Sequence, residues 1–220
     1  MARSTAQSAL RYPLTIMLGT DANVRLLREL SRHGGLLSSP SLADRSGLSR
    51  ASVWSALAVL EGIGIVGSEG TGKTRLYRLS SSHPLATSLA ALFEQEALRY
   101  SNIRAAVTEV VSSVRPKVRA AWIYGSVARG EDGPVSDLDL AVVSSSEKLE
   151  SALQKIREGL VVQAEKLGFN PSVVGLAPED VARLSSTADP WWKGVEADAL
   201  TVSGLRPDDL ATEIREKASV

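Results

Sequence analysis

Apolar residues in the first third of the chain recur at the spacing of three helices. The segments ANVRLLREL, SPSLADRSG and LSRASVWSALAVLEGIG follow one another between positions 22 and 64, separated by glycines. Residues suited to the start of a helix precede or open each segment: Thr20 or Asp21, then Pro40 or Ser41, then Ser49. A short helix, a glycine turn and a longer helix predict a helix-turn-helix.

The next segment, GIVGSEGTGKTRLYRLS, allows two interpretations. Residues 67–74 match the phosphate-loop pattern G-x-x-x-x-G-K-[ST] letter for letter. A phosphate loop needs a helix directly after that pattern, because the helix N-terminus faces the phosphates. Here Leu76, Tyr77 and Leu79 instead indicate a strand, which can pair with the short apolar run at Ile65-Val66. We therefore predict a β-hairpin at this position rather than an ATP site.

Residues 20–80 resemble the winged helix-turn-helix domains of bacterial transcriptional regulators, in which such a hairpin is the wing. In this motif the start of the second helix of the pair meets base edges, and the hairpin lies beside DNA phosphates. The residues predicted to contact DNA are Ser49, Arg50, Ser52, Ser55, Lys73, Arg75 and Arg78. For the helix residues, an ordinary solvated polar face is the alternative.

A long helical segment without a strong breaker follows, from His83-Pro84 to Arg115-Pro116. One long helix or two shorter ones fit its apolar spacing. The apolar stripe can pack against either neighbouring domain or against a second copy of the chain. A homodimer would suit palindromic DNA sites, which usually meet two-fold symmetric proteins.

The candidate chemistry lies in VRAAWIYGSVARGEDGPVSDLDLAVV. The segment predicts a strand, a turn at Gly125-Ser126 that leads into a helix, a loop and a second strand. Side chains alternate along a strand, so Asp137 and Asp139 share one face. Two such carboxylates suit Mg²⁺, and backbone N–H groups at a Gly-Ser turn suit phosphate oxygens. Arg129 could add a charge-assisted bond to a phosphate.

This segment resembles the G-S-x-n-D-x-D signature of the DNA polymerase beta-like nucleotidyltransferase superfamily in its minimal form, within about residues 100–204. The resemblance implies a mixed sheet flanked by helices. It also implies that Asp137 and Asp139 are catalytic and bind Mg²⁺ or Mn²⁺. The residues expected to bind the nucleotide are Gly125, Ser126, Arg129 and Ser136.

The chain departs from the superfamily pattern on the next strand. Active members usually carry a third carboxylate there, as a metal ligand and often as the base for the incoming hydroxyl. In this chain the strand is FNPSVVGL, with Asn170 or Ser172 at the expected position. Either side chain can accept a hydrogen bond, but neither is a carboxylate base. Glu179 and Asp180 follow at the start of a predicted helix, where they favour the helix dipole.

Composition narrows the class of protein. Cysteine is absent, which excludes disulfides and thiolate metal sites and fits a cytoplasmic location. The apolar stretches are too short for a membrane span, so no membrane partner is expected. The net charge is zero, but residues 1–82 carry ten Lys/Arg against five Asp/Glu, and residues 83–220 carry fifteen against twenty. A basic first half favours a polyanionic partner, with chance as the alternative.

Together these patterns predict an α+β chain in four parts: an N-terminal arm (1–18), a winged helix-turn-helix domain (19–82), a linker helix (83–116) and a nucleotidyltransferase-like domain (117–220). We expect it to bind double-stranded DNA and an NTP, and to transfer a nucleoside monophosphate to an acceptor that the sequence does not name. The missing third carboxylate leaves two alternatives open. One is a transcriptional regulator whose second domain is a nucleotide sensor or catalytically degenerate, and the other is an antitoxin of a toxin–antitoxin pair.

Overall fold

The computed structural model describes residues 17–218, except for the side chains of Lys73 and Ala218. Nearly all of the predicted N-terminal arm, residues 1–16, therefore lies outside the described residues. The chain divides into two compact units, Met1–Leu98 and Arg99–Val220.

Within residues 21–79, the first unit combines three short helices with a small antiparallel sheet. Its elements are α1 (Asp21–His33), β1 (Leu37–Ser38), α2 (Ser39–Ser46), α3 (Arg50–Gly62), β2 (Val66–Glu69) and β3 (Leu76–Leu79). Strand β3 pairs with both β1 and β2. Thr20, Ser38 and Ser49 each cap a helix, because each side-chain oxygen accepts a backbone N–H from the first turn. The predicted helix-turn-helix is confirmed.

The phosphate-loop letters form the tip of a hairpin. A single turn of 3₁₀ helix, Gly72–Thr74, connects β2 to β3, and a strand rather than a long helix follows it. Gly70 has φ +82°, and a Cβ there would lie 2.7 Å from the carbonyl oxygen of Thr74. Only glycine fits this turn without strain. The predicted hairpin is confirmed.

One uninterrupted helix, α4 (Ala86–Ser113), follows the wing. Near its start, Leu89 and Phe93 belong to the core of the first unit. Near its end, Val107 and Val111 belong to the core of the second unit. The helix therefore contributes apolar side chains to both cores. No helix within residues 17–218, α4 included, is long and apolar enough to cross a membrane.

The second unit is a four-stranded mixed sheet covered by helices. Its further elements are β4 (Ala120–Tyr124), α5 (Gly125–Arg129), β5 (Leu138–Val143), α6 (Ser146–Leu167), β6 (Pro171–Leu176), α7 (Pro178–Ser186), α8 (Pro190–Asp198), β7 (Leu200–Gly204) and α9 (Pro207–Ala218). The strand order is β6-β5-β4-β7, with β5 and β6 parallel and the other pairs antiparallel. Alternate residues of β4 and β5 enter two separate apolar clusters, so both faces of the sheet are buried. The predicted mixed sheet flanked by helices is confirmed.

An ion pair joins α1 to α4 within the first unit. Arg28 Nε donates to Glu96 Oε2 at 2.5 Å, and Arg28 Nη2 donates to Oε1 at 2.8 Å. The same guanidinium lies 5.7 Å from the centroid of the Phe93 ring. The hydrogen bond from Arg28 lowers the pKa of the Glu96 carboxyl below its ordinary value.

We expect Glu96→Gln to lower the free energy of unfolding at neutral pH by about 0.5 kcal/mol, because the pair is partly exposed and screened by solvent. Since the folded-state pKa of Glu96 is depressed, the pair stabilises the fold above the ordinary carboxyl pKa. That contribution is lost as the pH falls through the folded-state value. Urea unfolding across the acidic range should therefore show the wild type and the variant converging.

Glu94→Gln is the matched control, because Glu94 is exposed on the same helix. Its effect at neutral pH should be small. Equal, pH-dependent losses for the two variants would contradict the stabilising role of the ion pair.

Candidate functional site

The centre of the site is the point at which β4 ends beside β5. Tyr124, the last residue of β4, pairs with Asp139 across the antiparallel ladder. Gly125 follows with φ +75° and begins the short helix α5. A Cβ added at Gly125 would lie 2.7 Å from Asp139 Oδ2. The backbone of the Gly125-Ser126 turn thus lies directly against the Asp139 carboxylate, as only glycine allows.

Asp139 lies between a second carboxylate and a hydroxyl. Its partner on the parallel strand β6 is Ser172, whose side chain hydrogen-bonds the carboxylate. Asp137, which is exposed, lies two residues earlier, just before β5. Burial raises the pKa of the half-buried Asp139, the charge of Asp137 raises it further, and the hydrogen bond from Ser172 opposes the rise. The two carboxylates are thus close enough to interact electrostatically.

The structure distinguishes the two candidates for the position of the third acid. Ser172 lies opposite Asp139 in the ladder, whereas Asn170 precedes β6 and its carbonyl oxygen accepts the backbone N–H of Leu138 at 2.7 Å.

Within residues 17–218, no group of three or more Asp, Glu, His or Cys side chains is placed to hold a metal ion together.

Glu179 and Asp180 are engaged at the start of α7, some distance along the chain from the paired carboxylates. Glu179 accepts a hydrogen bond from Ser146 Oγ at 3.0 Å. Asp180 Oδ2 accepts the backbone N–H of Ala177, also at 3.0 Å. The contact of Asp180 agrees with the predicted stabilisation of a helix N-terminus.

The donor set fits a hard divalent cation. Two carboxylates, from Asp137 and Asp139, and the Ser172 hydroxyl nearby are oxygen ligands of the kind that Mg²⁺ and Mn²⁺ take. Magnesium in phosphoryl-transfer sites commonly uses one or two carboxylates and leaves its other positions to water and phosphate. The residues present therefore suit one divalent ion accompanied by a nucleotide.

Arg129 and Ser136, both predicted to bind the nucleotide, are already held by protein groups. Arg129 lies 2.7 Å from Glu131 Oε2 and 2.6 Å from Asp198 Oδ2. Ser136 Oγ accepts the backbone N–H of Gly133 at 2.9 Å. These contacts fix α5 and the loop that leads to Asp137. A phosphate contact from Arg129 would have to replace one of its two ion pairs.

Tyr124 also borders the site, although the sequence analysis did not single it out. Its ring makes an edge contact with Trp191 at a centroid distance of 5.4 Å, and Trp191 hydrogen-bonds its oxygen. Burial raises the pKa of Tyr124, the Trp191 hydrogen bond opposes this, and the charge of Asp139 adds to it. Its place next to Gly125-Ser126, at the end of a strand, is the signal that could have identified it.

The DNA-contact residues predicted on α3 have different environments. Arg50 and Ser55 are exposed, and Ser52 is half-buried. Ser49 is the N-cap, since its Oγ accepts the Ser52 N–H at 3.1 Å. Trp54, which is not among the predicted contact residues, is also exposed on α3, and its exposed fraction of 66% is far above that of the buried tryptophans. Its spacing of three to four residues from Arg50 and Ala51 could have placed it on the same helix face.

Two wing arginines that were predicted to meet phosphates are paired with acids. Arg75 Nη2 lies 2.7 Å from Glu61 Oε1, and its Nε donates to Ser68 Oγ at 3.0 Å. Arg78 lies 3.1 Å from Glu69. The side chain of Lys73 lies outside the described residues. The charges of Arg75 and Arg78 are thus partly neutralised within the protein.

Two known families match parts of the chain, one in each unit. A winged helix-turn-helix DNA-binding family matches residues 21–66. The polymerase beta nucleotidyltransferase family matches residues 107–176, which include the Gly-Ser turn, both carboxylates and Ser172. No curated protein matches the chain.

Three solved structures are similar to parts of this chain. One is a mutant of the toxin–antitoxin MntA-HpeT, at 18% identity and a TM-score of 0.37 over 53% of this chain and 86% of that one. Another is a toxin–antitoxin with AMP-PNP, at 19% identity and a TM-score of 0.34 over the same shares. The third is an ArsR-like transcriptional regulator from Rhodococcus sp. RHA1, at 24% identity and a TM-score of 0.30 over 50% of this chain and all of that one. At this level of similarity, none of the three bears on what this chain binds or catalyses.

We expect Gly125→Ala to destabilise the second unit more than Gly130→Ala. Both glycines have positive φ, +75° and +70°, but a Cβ at Gly130 would meet nothing within 4 Å. Gly130→Ala therefore carries only the backbone strain of about 1–2 kcal/mol, whereas Gly125→Ala adds overlap with Asp139. Urea unfolding followed by tryptophan fluorescence measures both losses.

Combining Gly125→Ala with Asp139→Ala isolates the contact itself. The excess loss should disappear when Gly125→Ala is introduced into an Asp139→Ala background, because the overlapping carboxylate is gone. Equal losses for the two single glycine variants would show that the turn does not depend on this contact.

Proposed function

We propose that this chain, which joins a winged helix-turn-helix domain to a polymerase beta-type nucleotidyltransferase domain, binds duplex DNA and transfers a nucleoside monophosphate from an NTP to an acceptor hydroxyl, with release of pyrophosphate. The observation that carries the catalytic half is the packing of Gly125 against Asp139. It puts the backbone of a Gly-Ser turn, which can meet phosphate oxygens, beside carboxylates that can meet a divalent ion.

Each residue of the site has a proposed part in binding. Asp137 and Asp139 hold the divalent ion, which supplies neutralising charge for the phosphates. Gly125 and Ser126 place their backbone along the triphosphate. Arg129 moves from Asp198 or Glu131 to a phosphate oxygen when the nucleotide binds, and Ser136 holds the loop that carries Asp137.

Because Ser172 rather than a carboxylate lies beside Asp139, we expect nucleotidyl transfer to be slow or absent. A serine cannot take the proton of an acceptor hydroxyl as a carboxylate base would. This observation also favours a second candidate function, in which the domain binds an NTP as a sensor and does not transfer it. The two candidates share one binding site and differ in whether a covalent product forms.

Transfer is tested by incubating the wild type with labelled NTPs, Mg²⁺ and candidate acceptors, including the chain itself. We expect slow labelling that Asp139→Asn reduces by on the order of a hundredfold, the usual scale for losing an essential catalytic group. Asp132→Asn, an exposed carboxylate in the neighbouring loop, is the control and should label normally.

Two other results separate the candidate functions. Magnesium-dependent NTP binding without any labelled product, across all acceptors, would replace the enzyme with the nucleotide sensor. Absence of both NTP binding and transfer would exclude both functions for this domain.

The DNA half of the proposal rests on α3 and its helix-turn-helix setting. Arg50 is exposed at the start of the helix, where base edges are met in this motif. A homodimer and a cytoplasmic location fit this half of the proposal. An antitoxin role would in addition need a small helical protein partner. Selection of bound duplexes from a random pool tests DNA binding, and retention of no duplex by the chain would contradict it.

A further inference from the structure

The solvent-facing side of α3 has an unusual composition for a DNA-reading helix. The helix buries Val53, Ala56, Leu57 and Leu60. Its opposite side exposes Arg50, Ala51, Trp54, Ser55 and Ala58, which recur at intervals of three and four residues. Val59 at the margin is also exposed, by 43%. Apolar atoms therefore dominate this exposed surface.

This face offers few groups that read bases through hydrogen bonds. Direct readout in the major groove relies mainly on Arg, Lys, Asn, Gln and acidic side chains, whereas small apolar and aromatic side chains contact the C5-methyl group of thymine. The face supplies one guanidinium, from Arg50, and one hydroxyl, from Ser55. The largest side chain on this face is the Trp54 ring, which lies between Ala51 and Ala58.

The charges around the face suit DNA as the occupant. Helix α3 has no acidic side chain before Glu61 in its last turn, and Arg50 lies at its first residue. Glu61 is itself paired with Arg75. Because α3 is also the second helix of a helix-turn-helix covered by the DNA-binding family match, its exposed side is the one expected to enter a major groove.

We propose that Trp54, together with Ala51 and Ala58, reads thymine methyl groups in the major groove. This inference rests on the proposed DNA binding and adds which base the helix recognises. Arg75 and Arg78 are paired with Glu61 and Glu69, so part of the positive charge of the wing is neutralised within the protein. Removal of the exposed Trp54 surface from water then supplies a larger share of the affinity.

The test compares two forms of one duplex. The full chain first selects its preferred sequence from a random duplex pool, and that sequence is then made with deoxyuridine in place of thymidine, which removes only the C5-methyl groups. We expect binding to weaken about fourfold for each methyl contacted, the effect of one buried methyl-sized group. Trp54→Ala should weaken binding to the thymidine duplex and abolish the difference between the two duplexes, while Trp54→Phe should retain part of it.

Leu92→Ala is the control variant, because Leu92 is a large exposed apolar residue on α4. It should bind both duplexes as the wild type does. Equal wild-type affinity for the two duplexes would overturn the inference while leaving the proposed DNA binding intact. Unchanged DNA binding by Trp54→Ala would also overturn it. Failure of the wild type to bind any duplex would overturn the proposed DNA binding and this inference with it.

Discussion

The contact between Gly125 and Asp139 is the constraint on which the rest of the candidate site depends. It exists because β4 ends opposite Asp139 and because the turn that follows carries no side chain. The same register places Ser172 on the other side of Asp139, so three strands contribute to one end of the sheet. The ion pairs of Arg129 then hold the short helix in place. The Gly125-Ser126 turn, the Asp139 carboxylate and helix α5 are thus held together by direct contacts.

The two domains share a structural element. Helix α4 buries Leu89 and Phe93 in one core and Val107 and Val111 in the other. It is therefore more than a spacer, since each core is incomplete without its end of the helix. Deletion of α4 would remove buried apolar side chains from both units. Because hydrophobic burial is the main term that stabilises domains of this size, both units would lose stability.

The sequence was most informative where local pattern decides structure. Glycine positions and alternating residues predicted the hairpin at GSEGTGKT, and the spacing of Asp137 and Asp139 predicted a shared face. Pairing between distant residues was beyond such patterns, as with Arg129 and Asp198, which lie 69 residues apart. The choice of Ser172 over Asn170 depends on strand register, which the hydrophobic pattern of one strand does not determine. The exposure of Trp54, in contrast, follows from its helical spacing relative to Arg50 and Ala51 and was within reach of the sequence.

We propose that Asp137 and Asp139 form a divalent-ion site beside a nucleotide-binding turn. Mn²⁺ titration followed by electron paramagnetic resonance, with and without a non-hydrolysable NTP, tests it most directly. We predict tight Mn²⁺ binding only when the nucleotide is present, its loss in Asp139→Asn, and tighter binding in Ser172→Asp, which adds a third carboxylate opposite Asp139. The proposal would be contradicted if the affinity for the nucleotide did not depend on Mn²⁺, or if Asp139→Asn bound Mn²⁺ as tightly as the wild type does.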